Sequence, residues 1–372
     1  MAKKVRVGLI FGGKSGEHEV SLASAQSVAH AIDKEKYAIT LIGITKQGRW
    51  IAGGNALKQL TAISPTPLLA SIEESTQNEI GSELAPMASH EILESLPLNA
   101  IDVVFPLVHG PFGEDGTIQG LLELADVAYV GAGVAASAVG MDKALMKSIF
   151  RAHNLPIVDW MAILRREWES RAPETIRRIE TAFGYPCFIK PANLGSSVGI
   201  SKAHNADELA EALNVAAQYD RKIIAERAAR NAREIECSVL GNDDPIASLP
   251  GEIIPRREFY DYDAKYDNDS HTELIVPADL SAEMTQAVQA MAIRAFKAID
   301  ASGMARVDFF LERGTNNLLL NEINTIPGFT AVSMYPRMWE KSGLSYPDLI
   351  DRLIQLALER AADKRKSKTT YK

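Results

Sequence analysis

Hydrophobic positions along the chain fall into two periods. VRVGLIF (5–11) is a continuous apolar run that ends in Gly12-Gly13, the pattern of a strand buried on both faces in a parallel sheet. VSLASAQSVAHAI (20–32) then carries small and apolar residues at helical spacing, and YAITLIGIT (37–45) reads as the next strand. IDVVFPLVHG (101–110) is another buried strand, and ADVAYVGAG (125–133) closes the layer. Strand, helix, strand in this order predicts an open α/β layer. Residues 52–95 differ: Ser, Pro, Thr, Asn and Glu dominate, periodicity is weak, and the segment reads as a long surface excursion.

A second unit is expected over 141–225, after an N-terminal unit at 1–140. It holds a helix (142–152), a strand (157–164), a helix (173–183), the pair YPCFIKP and VGISKA around a glycine–serine loop, and the amphipathic helix ELAEALNVAAQY (208–219). The third unit, 226–372, opens at the stretch IIAERAA. Its predicted strands are IECSVLG, ARVDFFLE and NLLLNEIN, covered by helices near 281–300 and 345–362. The final ADKRKSKTTYK reads as a solvated basic end, and no internal repeat is visible.

Composition narrows the function classes. At ~150 residues per domain, 372 residues suggest two or three domains. With 46% hydrophobic and 24% charged residues, a mostly disordered or collagenous chain is ruled out. A net charge of −8 argues against non-specific nucleic-acid binding as the main business. Two cysteines, Cys187 and Cys237, are too few for a disulfide framework or a zinc site. MAKKVRVGLIFGG reads as a first strand rather than a signal peptide, and no run approaches the ~18 apolar residues of a membrane span. The expected compartment is the cytoplasm, with neither membrane nor nucleic acid as partner.

GLIFGGKS (8–15) satisfies the phosphate-loop pattern G-x-x-x-x-G-K-[ST] letter for letter, yet it fails on physical grounds. Leu9, Ile10 and Phe11 continue the strand begun at Val5, and only seven residues precede Gly8. What remains is GGKSGEHEVS (12–21), a glycine turn off a strand end, with Ser21 as an expected helix cap. Glu17, His18 and Glu19 stand in the crevice where open α/β sheets bind ligands, and a glutamate there could pair with a ligand ammonium; a solvated turn is the alternative. PCFIKPANLGSSVGISK (186–202) is a hairpin whose loop offers backbone N–H groups and Ser hydroxyls to phosphates beside Lys190; a plain surface hairpin is the alternative.

MARVDFFLE (304–312) and LLLNEINTIPGF (318–329) read as a hairpin joined by RGTNN. Glu322 and Asn324, two residues apart, share a face, and Asp308 can face them from the adjacent strand. Two carboxylates and an amide oxygen make a hard donor set suited to Mg²⁺. Arg306 lies on the same face, and a structural salt bridge to Asp308 or Glu322 is the alternative. Pro327-Gly328 then breaks the strand, and the Gly328 N–H is a candidate oxyanion donor. FYDYDAKYDNDSH (259–271), rich in Tyr, Asp and Asn, reads as a mobile loop fit to close as a lid, while its aromatic count would equally suit a partner interface.

Together GGKSGEHEVSLAS, LVHGPFGEDGTIQGLLE, GMDKALMK, KPANLGSSVG, FYDYDAKY, ARVDFF and NEINTIPGFT resemble the ATP-grasp superfamily, and within it the D-alanine–D-alanine ligase family. They spread from residue 12 to about 336, so the resemblance covers nearly the whole chain. It implies an α/β, three-domain ATP-grasp fold: an N-terminal open parallel α/β layer, a central lid domain and a C-terminal α+β domain. It implies that Glu17 holds the ammonium of the first D-alanine, with Ser196 and Tyr266 as hydrogen-bonded partners and His109 beside that subsite. Lys143, Lys190 and Ser197 are implied ATP phosphate contacts, Lys265 a γ-phosphate contact from the lid. Glu226 and Glu234 are implied adenine and ribose contacts, while Ala228 stands where an aromatic or aliphatic adenine contact is common. Asp308, Glu322 and Asn324 are the implied ligands of two Mg²⁺ or Mn²⁺ ions. Arg306 and the Gly328 N–H are the implied clamp on the tetrahedral intermediate, and Ser333 the implied contact to the second D-alanine carboxylate. The implied activity is that of a carbon–nitrogen ligase of peptidoglycan synthesis, working as a homodimer. Two rivals stay open: a relative using D-lactate or D-serine as second substrate, and a non-catalytic sensor of nucleotide and amino acid.

Overall fold

The computed structural model describes residues 3–53, 56–63, 100–254, 272–368 and 370. Three sheets organise them.

The first has the order β3-β2-β1-β4-β5, with β1 Val5–Gly12, β2 Tyr37–Ile44, β3 Trp50–Ala52, β4 Val103–Pro106 and β5 Ala128–Tyr129. All neighbours are parallel except β2 and β3. The continuous apolar run of β1 has the expected cause: Val7, Leu9 and Phe11 enter one core and Ile10 enters another on the opposite face. The phosphate-loop lookalike is therefore strand. Helix α1, His18–Ala31, covers the first face. Helix α2, Ala56–Ile63, corrects part of the expected 52–95 excursion. It docks through buried Ala56 and Leu60, and Gly43 leaves the space that Leu60 occupies. Residues 64–99 lie outside the described residues. Helix α3, Thr117–Leu124, precedes β5, and α4, Val134–Met141, follows it.

The second sheet is antiparallel with order β6-β9-β7-β8: β6 Trp160–Leu164, β7 Cys187–Pro191, β8 Ser201–Ala203 and β9 Lys222–Arg227. The strand IIAER, expected at the head of the third unit, thus pairs with β6 and β7 in this sheet. Helix α5, Lys143–Ala152, leads into β6, yet its Met146 and Phe150 pack with the third sheet, as does Ala136 of α4. Helix α6, Arg165–Phe183, starts eight residues before the expected 173 and breaks at Arg171 (φ −143°, ψ 43°), just ahead of Pro173. Only its second piece carries a clear apolar period. Helix α7, Ala206–Tyr219, covers the sheet through Leu209, Leu213 and Ala216.

The third sheet runs β13-β12-β10-β14-β15, with β11 on β10: β10 Ala232–Gly241, β11 Ile246–Ala247, β12 Gly251–Ile254, β13 Glu273–Ile275, β14 Gly303–Glu312 and β15 Leu318–Asn324. Ala305, Val307, Phe309 and Leu311 alternate inward against helix α8, Ala282–Ala298. Arg306, Asp308 and Phe310 take the other face. Helix α9, Met334–Lys341, and helix α10, Tyr346–Lys364, complete the chain.

α10 is expected over the third sheet, and it packs there and on the first sheet as well. Leu349, Leu353 and Ile354 share one core with Val7, Leu9 and Phe105 of the first sheet and Met304 of the third. Arg360 fixes this junction. Its guanidinium donates to Gly131 O, to Ser302 Oγ at 2.6 Å and to Tyr129 O at 2.9 Å, and stacks 4.3 Å from the Tyr129 ring centroid. Nearby, a Cβ on Gly303 (φ +74°) would come within 3.0 Å of the Gly131 backbone, so glycine is required there. No helix among the described residues is long and apolar enough to cross a membrane.

Replacing Arg360 by Met should keep the hydrophobic stem but leave the three acceptors short of a donor. The expected cost is about 2–3 kcal/mol, read as a lower urea midpoint with an unchanged m-value.

Candidate active site

The three sheets converge on a cleft of about 1200 Å³. At its first wall β1 ends in Gly12 and Gly13, both at positive φ, which turns the chain sharply into α1. Ser21 is not the cap of α1: the helix begins at His18, before it. Its hydroxyl instead accepts from Gly12 N at 2.7 Å and donates to Leu107 O at 2.5 Å, tying β1 to the segment after β4.

Glu17 stands at the mouth of this turn, and Ser196 of the β7–β8 loop donates its hydroxyl to the carboxylate. A Cβ on Gly195 would lie 3.0 Å from Glu17 Oε2, and one on Gly110 2.6 Å, so two glycines make room for this carboxylate. His109 is buried close by. Its Nδ1 lies 2.9 Å from Ile326 O and so carries the proton, and Nε2 lies 3.3 Å from Ser24 Oγ. Glu114, buried and 3.5 Å from His109 Nδ1, had no signal of its own in the sequence beyond its place in HGPFGEDG. Burial pushes the Glu114 carboxyl up; burial opposes charge on His109, but Glu114 and Glu17 raise its basicity.

The second wall carries lysines. Asp142 caps α5, accepting from Ala144 N and Leu145 N at 3.1 Å, and thereby aims the first turn of the helix at the cleft. Lys143 Nζ donates to Leu194 O at 2.8 Å and lies 3.8 Å from Glu322 Oε2. Lys190 ends the strand β7 as expected, and Ser196 and Ser197 beyond it adopt left-handed backbone (φ 49° and 58°). Glu226 sits between Lys190 Nζ (2.6 Å) and Lys147 Nζ (2.8 Å). Lys147 was missed, because a lysine at helical spacing on α5 looks like a surface residue. Burial disfavours charge on Glu226, but the two ammoniums outweigh it and hold the carboxyl down at about 2. Burial pulls Lys147 down, whereas Glu226 and Glu322 hold Lys190 up against the same burial.

The floor comes from strand register. Asp308 of β14 faces Glu322 of β15 and Glu236 of β10; Arg306 faces Asn324. The expected shared face is therefore present, with a register shift just after Asp308. Arg306 forks Asp308 with two bonds of 2.7 Å, and its Nε lies 3.2 Å from Glu236 Oε2. The Arg306–Asp308 salt bridge that the sequence offered as the alternative reading of this face is present. Burial opposes the Arg306 charge, but Asp308 and Glu236 raise its pKa well above the ordinary value. Asn324 Oδ1 accepts from Ile326 N at 3.0 Å. Gly328 packs against Ser333, whose Oγ accepts from Thr330 N at 3.1 Å. Glu234, Ala228, Gly328 and Ser333 line the same cleft. Among the described residues no three or more His, Cys, Asp or Glu group as a metal site. Tyr266, Lys265 and the expected lid at 259–271 lie outside the described residues.

Residues 6–132 match the family model described as D-ala D-ala ligase N-terminus, and 149–355 that described as D-ala D-ala ligase C-terminus. The chain belongs to the D-alanine–D-alanine ligase family. A D-alanine–D-alanine ligase of Chloroherpeton thalassium is 50% identical over 363 residues, 97% of this chain and 98% of the relative. One from a Thermoanaerobacter species is 51% identical over 358 residues, 96% and 97% of the two chains. Among solved structures, the D-alanine-D-alanine ligase from Coxiella burnetii superposes with a TM-score of 0.78 at 39% identity, covering 98% of this chain and 97% of that one. The VanG D-Ala:D-Ser ligase from Enterococcus faecalis does so with 0.78 at 33% identity, covering 95% and 100%. The parallel layer and two antiparallel sheets seen here are the ATP-grasp architecture of the D-alanine–D-alanine ligases.

Glu226 makes a testable contribution to stability. Its carboxyl is held at about 2, below the ordinary 4.5, so its stabilisation is complete above pH 4.5 and is lost as pH falls toward 2. Over that window the protein should lose roughly 3 kcal/mol through this group, and Glu226→Gln should remove that part of the slope in denaturant midpoint against pH.

Proposed function

We propose that this chain joins two D-alanine molecules into D-alanyl-D-alanine with ATP as co-substrate, through an acyl phosphate, releasing ADP and phosphate for peptidoglycan precursor synthesis. One observation carries the reading: a single cleft gathers an amine-binding carboxylate, Glu17, a lysine wall, Lys143 and Lys190, and an oxygen-rich floor with an arginine, Arg306. Family membership and the ~50% identical ligases support it. The D-Ala:D-Ser ligase is more distant at 33%.

The chemistry follows from the carboxylate, which is a poor acyl donor because its leaving group would be oxide. Phosphorylation supplies a better one. Glu17 holds the ammonium of the first D-alanine, and Ser196 orients that carboxylate. Lys143 and Lys190 balance the phosphate charge, with Ser197 and the backbone of its loop as further donors. Glu226 and Glu234 accept from the adenine amino group and the ribose. Ser333 receives the carboxylate of the second D-alanine. Its amine attacks the acyl phosphate, and Arg306 with the Gly328 N–H stabilises the oxyanion that forms.

Asp308, Glu322 and Asn324 fit a hard divalent cation: all three offer oxygen, they sit on facing strands, and two of them are carboxylates, with Arg306 beside Asp308 and Lys143 3.8 Å from Glu322. They would hold Mg²⁺ or Mn²⁺, two ions in the family reading, which when bound neutralise phosphate oxygens. Tyr266 and Lys265 complete the site from the lid in this reading. The chain acts in the cytoplasm as a homodimer.

Phosphate release from ATP should require D-alanine, and the product should be the dipeptide. Release without D-alanine, or none with it, would overturn the reading. With D-alanine and equimolar D-lactate or D-serine, mass spectrometry should find mostly D-alanyl-D-alanine. Glu322→Gln should cut turnover ~100-fold or more while the thermal midpoint stays within a few degrees.

A further inference from the structure

Lys147 is an ammonium of this region that the reaction described above does not use. It follows Lys143 by one helical turn on α5, but the two differ in setting: Lys143 lines the cleft and Lys147 does not. Lys147 is 1% exposed, and its Nζ donates to Asn321 O at 3.2 Å and lies 2.8 Å from Glu226 Oε1. Glu226 does line the cleft, as does Lys190, whose Nζ holds the other carboxylate oxygen at 2.6 Å. Lys190 and Glu226 are diagonal neighbours on β7 and β9, since Glu226 is paired with Phe188.

Two cations therefore share one carboxylate, and only one of them can reach a ligand. A polyphosphate entering the cleft competes for Lys190. Without a second cation, that competition would strip a buried carboxylate of its counter-charge, which is costly at 2% exposure. Such a site would resist binding or neutralise Glu226, which then loses one acceptor. We propose that Lys147 is a positioning residue, the standing counter-ion that keeps Glu226 ionised and oriented as a nucleobase acceptor while Lys190 turns to the phosphates. The inference rests on the nucleotide reading of the cleft given above.

The test is nucleotide binding by calorimetry on the full chain, with ATP and with a purine riboside triphosphate lacking the 6-amino group, alongside steady-state kinetics. Lys147→Met should weaken ATP binding about 10–100-fold, an effect the size of a lost charge-assisted contact. It should raise the KM for ATP in proportion, while kcat at saturating ATP changes less than about threefold. Preference for ATP over the purine analogue should shrink toward unity, and Lys147→Arg should restore most of it. In a Glu226→Gln background the same Lys147→Met change should be neutral or favourable, because the lysine there has no anion to serve. Lys147→Gln is the second variant should the methionine protein not fold, with the same outcomes expected.

If the wild-type chain binds no ATP, the functional reading itself fails. If it binds ATP and the charge-removing variant binds as tightly, or if both nucleotides weaken equally in either background, Lys147 has only a structural role and the inference is overturned.

Discussion

Two carboxylates, Asp308 and Glu322, face each other across β14 and β15, and a third, Glu236, faces Asp308 from β10. Like charges in register repel, so this sheet face needs positive charge and cannot be packed with apolar side chains. Arg306 supplies that charge at rest by forking Asp308 and reaching Glu236. The alternation of the strand then does the rest. Val307, Phe309 and Leu311 must enter the opposite core, where α8 covers them, and the charged face must border space. The cleft is a consequence of this register as much as a container for ligands.

The same constraint reaches the other sheets. Charge on the floor draws Lys143 toward Glu322, and the Asp142 cap holds that lysine's helix at the cleft. α5 packs through Met146 and Phe150 on the third sheet while its Lys147 meets Glu226 of the second. One helix thus carries both an apolar anchor to one unit and an ionic tie to the next. α10 plays the matching part for the first sheet, with Leu353 in the shared core and Arg360 on the carbonyls of Tyr129 and Gly131.

Strand content was legible wherever the apolar pattern had one cause. β1 is apolar throughout because both of its faces are buried, and β14 alternates because one face is. The facing positions of Asp308, Glu322 and Asn324 followed from the same period of two. What escaped depends on contacts between units, which no local period records. IIAER is as apolar as a strand of the third unit would be, and only its pairing with β6 and β7 assigns it. Ser21 has the chemistry of a cap but is spent on Gly12 and Leu107. Lys147 and Glu114 are charged residues made buried by partners remote in sequence or by the fold around them, so composition alone reads them as surface.

The resting cleft is close to its own counter-ion set. Lys190 and Lys147 hold Glu226, Arg306 holds Asp308, Lys143 leans on Glu322, and Ser196 donates to Glu17. The charges that meet phosphate, metal or ammonium in the proposed reading are thereby held in place by partners within the protein. Binding becomes an exchange of partners rather than a burial of naked charge, so the desolvation of these side chains is met during folding and not at the moment of recognition. The exchange has a condition. Each internal pair that opens must leave both members with a new partner, and an isolated cation or anion satisfies only one side. A ligand bringing phosphates together with a divalent cation satisfies Lys190 and Asp308 at once. On the same reading the ammonium of one amino acid meets Glu17 and the carboxylate of a second meets Ser333. On that reading, selectivity for zwitterionic and metal-bearing ligands follows from the way the cleft's own charges are paired.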